Sequence, residues 1–188
     1  VSYLYPDEDK PLETATIPQL HLPMRVGVAF VPEGTGRNEG FTESEKTRLL
    51  SEVAAHFKQQ PFVSDIEILP SVYLRPGGSF DNLDQLRAMH GIDVMVLVAY
   101  DQTQFTDEGL ASITYWTLIG AYIVPGEKND THTMVDAVVY DIASRKLLFR
   151  APGVSHIKGH STPVNLSEEL RKDSVEGFQQ ASIDLIKN

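Results

Sequence analysis

The histidines are the residues of this sequence best suited to metal or acid–base chemistry. His156 and His160 are four positions apart, a spacing that places two imidazoles on one face of a helix in many zinc sites. Gly153 and Gly159 disfavour a helix here, and no glutamate lies between the two histidines. We therefore predict a pair of loop histidines. A metal-dependent hydrolase that uses His156, His160 and a carboxylate remains the alternative.

Signatures of other enzymes are weak. The chain has no cysteine and no G-x-S-x-G nucleophile elbow. A glycine-containing loop at Gly34–Gly40 follows a predicted strand, but it lacks the remaining elements of a nucleotide-binding fingerprint. No catalytic residue and no cofactor is predicted. A small-ligand site near Gly34–Gly40 and Asp101–Asp107 stays open, because ligands of α/β proteins gather at strand ends.

Composition sets broad limits on function. A chain of 188 residues with 41% hydrophobic residues can bury the core of one domain. The net charge of −10 argues against a nucleic-acid partner, since phosphate binding requires clustered lysine and arginine. No run of apolar residues has the length of a membrane span. Any membrane attachment is expected to come from a lipid anchor upstream of Val1.

The most regular pattern lies between Thr133 and Arg150. An apolar, β-branched run at Met134–Tyr140, a polar turn at Asp141–Lys146 and a short strand at Leu147–Arg150 predict a hairpin. A break is expected at Pro152-Gly153. The earlier runs at 93–100 and 115–124 are expected to join the hairpin in an antiparallel meander.

The first half of the chain alternates strands and helices. Strands are predicted at Met24–Val31, at Phe62–Leu69 and, in the centre of the sheet, at Ile92–Tyr100. The first helix begins with a capping box at Thr42. The second helix is predicted to start at Ser79 or Asp81, to bury Leu83, Leu86 and Met89, and to end at Gly91. A helix beginning after Asn165 closes the chain.

These elements predict an α/β fold in a single domain covering residues 24–188, preceded by an irregular N-terminal arm at residues 1–23. The predicted order is β-α-β-α-β-β-β-α, with a mixed sheet, an antiparallel meander in the second half and flanking helices.

One predicted strand is apolar on both faces. The segment Tyr115–Tyr122 places Trp116 and Leu118 on one face and further apolar side chains on the other. Both faces of such a strand must be covered, either by helices of the same chain or by a partner. Tyr115, Trp116, Leu118 and Tyr122 are therefore predicted as candidate partner-binding residues.

Three segments carry a resemblance to a known family. The segments Tyr3–Pro6, Leu22–Pro32 and Tyr115–Tyr122 resemble the rhombotarget lipoproteins, which are bacterial envelope proteins with an N-terminal lipid-bearing cysteine and a C-terminal sorting tail. More broadly, Gly91–Val98 and the hairpin at Val135–Ala151 resemble curli-secretion and penicillin-binding-protein-activator lipoproteins. The resemblance implies a lipid-anchored protein of the Gram-negative outer membrane or cell surface.

Together these observations predict a non-enzymatic envelope lipoprotein domain. It is expected to bind another envelope protein or to self-associate, without nucleic acid and without a cofactor.

Overall fold

The computed structural model describes residues 3–4, 17–32, 41–105, 130–158 and 166–187. Its elements follow one another as five strands and three helices within these ranges: β1 Met24–Phe30, α1 Glu43–Phe57, β2 Val63–Ile68, α2 Ser79–His90, β3 Val94–Phe105, β4 Asp130–Asp141, β5 Lys146–Lys158 and α3 Leu166–Lys187. A single 3₁₀ turn at Ser71–Tyr73 precedes α2. The strand predicted over 115–124 lies outside the described residues.

The strands form one five-stranded sheet in the order β2-β1-β3-β4-β5. Strand β1 is parallel to both of its neighbours, with Val26 opposite Ile66 of β2 and Val94 of β3. Strands β4 and β5 are joined by a four-residue turn, which makes them antiparallel. The mixed α/β sheet with flanking helices, and the central position of β3, are confirmed.

The chain divides into two compact units. The first contains Val1–Ala99 and Asp136–Ala151, and the second contains Tyr100–Val135 and Pro152–Asn188. Strands β3, β4 and β5 therefore contribute residues to both units.

Helix α1 begins as the sequence predicts. The Thr42 hydroxyl accepts a hydrogen bond from the Glu45 backbone N–H, while the Glu45 carboxylate accepts one from the Thr42 backbone N–H at 2.9 Å. In the first turn, burial acts to raise the pKa of Glu43, but hydrogen bonds from Ser71 and the nearby Lys46 outweigh it and lower the pKa. Glu43 thereby fixes the turn before α2 to the start of α1.

Helix α2 differs from the prediction at two points. Its N-cap is Gly78 rather than Ser79 or Asp81, and no side chain caps it. Met89 is 67% exposed instead of buried. Leu83 and Leu86 are buried as predicted, and the helical period then brings His90, not Met89, to the same face. Gly91 ends the helix with a φ of +65°, as expected of a left-handed residue.

One hydrophobic cluster of the first unit lies between the sheet and α2. Its members are apolar side chains of β1, β3, β4, α2 and the connecting segments, together with Tyr3 and Leu4 of the N-terminal arm: Ala29, Leu69, Leu74, Phe80, Leu83, Leu86, Ile92, Met95, Leu97, Tyr140 and Ile142. The arm is thus fixed to the fold at residues 3–4. Burial raises the pKa of the Tyr3 phenol.

A buried amide holds the arm in place. The Tyr3 hydroxyl donates to the Asn82 side-chain oxygen at 2.8 Å, and the Arg75 backbone N–H donates to the same oxygen at 2.9 Å. The Asn82 amide nitrogen donates to the Tyr73 carbonyl at 3.2 Å. One side chain therefore connects the arm, the turn before α2 and α2 itself.

Strands β3 and β5 are longer than predicted. Strand β3 continues past Tyr100 through Asp101, and β5 continues through Pro152 and Gly153 without a break. Proline is tolerated in an edge strand, and β5 is the last strand of the sheet among the described residues. The turn between β4 and β5 is held by the Ser144 backbone N–H and hydroxyl, which both donate to the Asp141 carboxylate.

The second unit packs α3 against β4 and β5. Phe178, Ala181 and Leu185 of α3 are buried. The helix approaches the strands closely at two glycines, where a Cβ atom on Gly153 would lie 1.9 Å from the Ala181 carbonyl oxygen and one on Gly177 2.3 Å from the Thr133 hydroxyl. No helix in the described part of the chain is long and apolar enough to cross a membrane.

Candidate functional site

Most of the predicted site residues fall outside the described part of the chain. Tyr115, Trp116, Leu118 and Tyr122 do so, as do His160 and the loop at 34–40. Their predicted roles stay predictions. His156 is described, and it lies in β5 rather than in a loop. The prediction of two loop histidines is therefore wrong at His156.

His156 has a partner that the sequence spacing did not indicate. Its ring stacks on that of His132 in β4, with ring centroids 4.2 Å apart and an angle of 11° between the ring planes. The hairpin register alone would not have revealed this pair, because counting outward from the turn at 142–145 places residue 132 opposite residue 155 rather than 156.

A second histidine interacts with a carboxylate. His90 Nδ1 lies 2.7 Å from a Glu67 carboxylate oxygen, and the Arg25 guanidinium lies 3.8 Å from the other oxygen. A histidine oriented by a carboxylate is one half of the arrangement used in general base catalysis. The other half would be a nucleophile at Nε2, but this nitrogen is buried and has no hydrogen-bond partner among the residues that the structure describes.

Two exposed apolar side chains of the first unit lie close together on β5. Leu147 is 51% exposed and Phe149 is 58% exposed. Because side chains alternate along a strand, these two project from one face, whereas Lys146 and Arg150 project from the other. Strand β5 is also a terminal strand among the strands that the structure describes. We call Lys146, Leu147, Phe149 and Arg150 the β5 surface.

The positive charges around this surface are partly balanced within the unit. Arg150 Nε donates to both carboxylate oxygens of Asp136 at 2.7 and 3.0 Å. Arg145, at the end of the turn, lies 3.4 Å from Asp81 and 3.3 Å from Asp84. The Arg145 pairs are partly exposed, and such pairs contribute only about 0–1 kcal/mol each. The Asp136 side chain is only 14% exposed, so its pair with Arg150 is more firmly held.

The opposite end of the described sheet has a complementary pattern. Strand β2 carries Asp65 and Glu67 on one face and the half-buried Ile66 and Ile68 on the other. Hydrogen bonds from the Ile66 backbone and from Lys58 lower the pKa of Asp65. Asp65 is therefore ionised at neutral pH. We call these four residues the β2 surface.

The charged sides of both surfaces lie on the same face of the sheet. The register places Arg25 opposite Asp65 and Gly27 opposite Met95, so Asp65 shares the face of Met95. Met95 belongs to the core cluster that also contains Tyr140 and, at its edge, Val138 of β4. Asp136 lies two residues before Val138 and four before Tyr140, so its side chain is on the same face of β4. Arg150 of β5 contacts it there. The Leu147 side of β5 and the Ile66 side of β2 share the other face.

Comparison with known proteins identifies no family. No protein-family model matches the chain, and no curated protein sequence matches it significantly. The resemblance to the rhombotarget lipoproteins therefore stays a prediction.

Solved structures of similar architecture exist at low sequence identity. A variant of the PelC dodecamer from Paraburkholderia phytofirmans is 9% identical with a TM-score of 0.47, over 90% of this chain and 94% of that chain. Lipoprotein GNA1162 from Neisseria meningitidis is 12% identical with a TM-score of 0.41, over 82% and 96% of the two chains. The hypothetical protein CT253 from Chlamydia trachomatis is 11% identical with a TM-score of 0.45, over 87% and 94%. Similarity at this level assigns no function to the chain.

Proposed function

We propose that this chain is a non-enzymatic, self-associating domain of the bacterial cell envelope, in which the β5 surface of one copy docks on the β2 surface of the next. The observation that carries the proposal is the exposure of Leu147 and Phe149 on β5, a terminal strand among those that the structure describes. A terminal strand offers a row of backbone donors and acceptors to an added strand, and such edges are used for strand addition between chains.

The distribution of charge favours this arrangement over a two-fold contact. In a β5–β5 contact, Lys146 of one copy would face Arg150 of the other, and like charges directly opposite each other destabilise paired strands. A β2–β2 contact would oppose Asp65 and Glu67 in the same way. The β5–β2 contact instead brings cations to anions.

The apolar residues support the same pairing. If the sheet continues from one copy into the next, the face with Leu147 and Phe149 meets the face with Ile66 and Ile68, because the charged residues occupy the other face of both strands. One relative orientation therefore satisfies both the charged and the apolar side chains. A head-to-tail contact of this kind produces rings or open filaments rather than simple dimers.

The assignment to the envelope rests on the resemblance of Tyr3–Pro6 and Leu22–Pro32 to rhombotarget lipoproteins. A lipid anchor upstream of Val1 would hold the domain at the outer membrane or cell surface and raise its local concentration there. A high local concentration favours association through a surface of modest size.

The proposal is tested by removing the apolar side chains of the β5 surface. We expect the double variant L147S/F149S to weaken self-association by about 30-fold, because burying the exposed part of each side chain contributes on the order of 1 kcal/mol. Light scattering coupled to size-exclusion chromatography, across a concentration series, measures the change. The free energy of unfolding should change little, since both side chains are exposed in the isolated chain.

Met89→Ser is the matched control, since Met89 is a similarly exposed apolar residue on α2 and not part of either surface. It should associate like the unaltered chain. A chain that is monomeric at every concentration, or a Met89→Ser variant that loses association equally, would contradict the proposal.

A further inference from the structure

We propose that the site holding Tyr3 and Leu4 is a peptide-binding site that the arm of a second copy also occupies, so that neighbouring copies exchange their N-terminal arms. This contact is separate from the β5 and β2 surfaces and does not depend on them. The observation behind it is a buried contact between remote parts of the sequence, in which the Tyr3 hydroxyl donates to a side chain 79 positions later, that of Asn82.

Tyr3 is recognised through both its side chain and its backbone. The phenol donates to the Asn82 side-chain oxygen at 2.8 Å, and the Tyr3 carbonyl accepts from the Ser79 backbone N–H at 3.1 Å. The first N–H groups of a helix have no partner within it, and no side chain caps α2. A peptide carbonyl therefore serves α2 where a capping side chain is missing, and the phenol gives the site its preference for tyrosine.

The polar end of the site is held in place by contacts that do not involve the arm. The Arg75 backbone N–H donates to the Asn82 side-chain oxygen at 2.9 Å, and the Asn82 amide nitrogen donates to the Tyr73 carbonyl at 3.2 Å. Asn82 is thus oriented before any peptide binds. A preorganised site loses less free energy on binding than one that must first be ordered.

The apolar part of the site makes an empty site unfavourable. Tyr3 is 5% exposed and Leu4 is 4% exposed, and both belong to the cluster that contains Phe80, Leu83 and Tyr140. Withdrawal of the arm would return these apolar surfaces to water, which is unfavourable. The site is therefore expected to stay occupied, either by the arm of the same chain or by the identical segment of another.

The length of the connection allows the second arrangement. Nineteen residues, 5–23, separate Leu4 from β1, and a chain of that length spans at most about 65 Å when fully extended. The arm of one copy therefore reaches the site of a neighbour in contact with it. The contacts made within one chain and between two chains are the same, so exchange of the identical element leads to association at low cost. Dilution favours the arm of the same chain, and a high local concentration favours exchange.

The test mixes two variants, each of which lacks one side of the contact. Tyr3→Ala keeps the site and loses its ligand, whereas Asn82→Ala keeps the ligand and damages the site. Neither variant forms the Tyr3–Asn82 contact alone, and the mixture forms it only between copies. Both variants also carry L147S/F149S, which removes the apolar contact of the proposed β5–β2 docking. The outcome for arm exchange is thereby separated from the outcome for that docking.

We expect the mixture to form heterodimers with an association constant about tenfold or more above that of either variant alone, because a buried tyrosine side chain and its hydrogen bond are restored. Sedimentation velocity across a concentration series measures the constant. In the matched control, Tyr3→Ala/Asn82→Ala takes the place of Tyr3→Ala and should give no gain. Folded variants whose mixture associates no more than either variant alone would overturn the proposal.

A second measurement carries the test if Asn82→Ala does not fold. A synthetic peptide of residues 1–6 is titrated into the full chain carrying Tyr3→Ala, up to about 5 mM, the order of the effective concentration of a tethered segment. The peptide should raise the melting temperature. The same peptide with Tyr3→Phe should bind about fivefold more weakly, through the loss of one hydrogen bond. A folded Tyr3→Ala chain that does not respond to the peptide, or that responds equally to both peptides, would contradict the proposed site.

Discussion

Strands β3 and β5 are both rich in apolar residues, but they differ in what covers those residues. In the interior strand β3, Met95 is fully buried and Leu97 is 2% exposed, whereas Leu147 and Phe149 of β5 are more than half exposed. The side chains of β3 stabilise the fold, whereas in the proposed assembly those of β5 make contacts between molecules. Substitutions in the two strands should separate stability from association.

The largest effect is expected in the interior. Leu83 of α2 is fully buried against the sheet, so Leu83→Ala should lower the free energy of unfolding by about 3 kcal/mol, through lost burial and the cavity left behind. Denaturant unfolding measures this change. Folded protein should still self-associate with unchanged affinity. A loss of less than about 1 kcal/mol would mean that α2 is not packed on the sheet as described.

A smaller effect on stability is expected from the buried polar contact of the arm. Asn82→Ala leaves the Tyr3 hydroxyl and the Arg75 backbone N–H without their acceptor, and should cost about 2 kcal/mol in the free energy of unfolding.

The comparison for this prediction is Tyr3→Phe, which removes one hydroxyl and leaves the other contacts of Asn82 in place. It should cost about 1 kcal/mol in the same unfolding measurement. Equal and negligible losses in both variants would show that the arm is not anchored at Tyr3, and that the interior begins only at β1.

Local signals in the sequence were sufficient for much of the fold. The Thr42 capping box and the left-handed Gly91 set helix ends through interactions within a few residues, and both were predicted correctly. The apolar run of β3 identified the centre of the sheet because an interior strand must be apolar on both faces.

The predictions that were wrong concern positions whose structure depends on tertiary packing. Met89 is exposed because the inner face of α2 follows the helical period to His90 instead. The His90 ring contacts the Glu67 carboxylate of β2. The chain continues as a strand through Pro152 and Gly153 because the glycine permits the close approach of α3. Neither partner can be identified from local sequence. The His132–His156 contact was missed for the same reason, since it depends on the true length of β5.

The most direct test of the proposed assembly is a charge exchange between the β5 surface and the β2 surface. Lys146→Glu and Asp65→Lys each replace an attraction across the proposed contact by a repulsion, and each should weaken association by about tenfold. The double variant restores opposite charges between neighbouring copies, with the signs reversed. Lys172→Glu, on the exposed surface of α3, is the control for the change in net charge.

Sedimentation or light scattering across a concentration series gives the association constants. We predict that both single variants associate weakly, that the double variant recovers most of the lost affinity and that Lys172→Glu has little effect. A folded double variant that associates no better than the single variants would contradict the head-to-tail contact between β5 and β2.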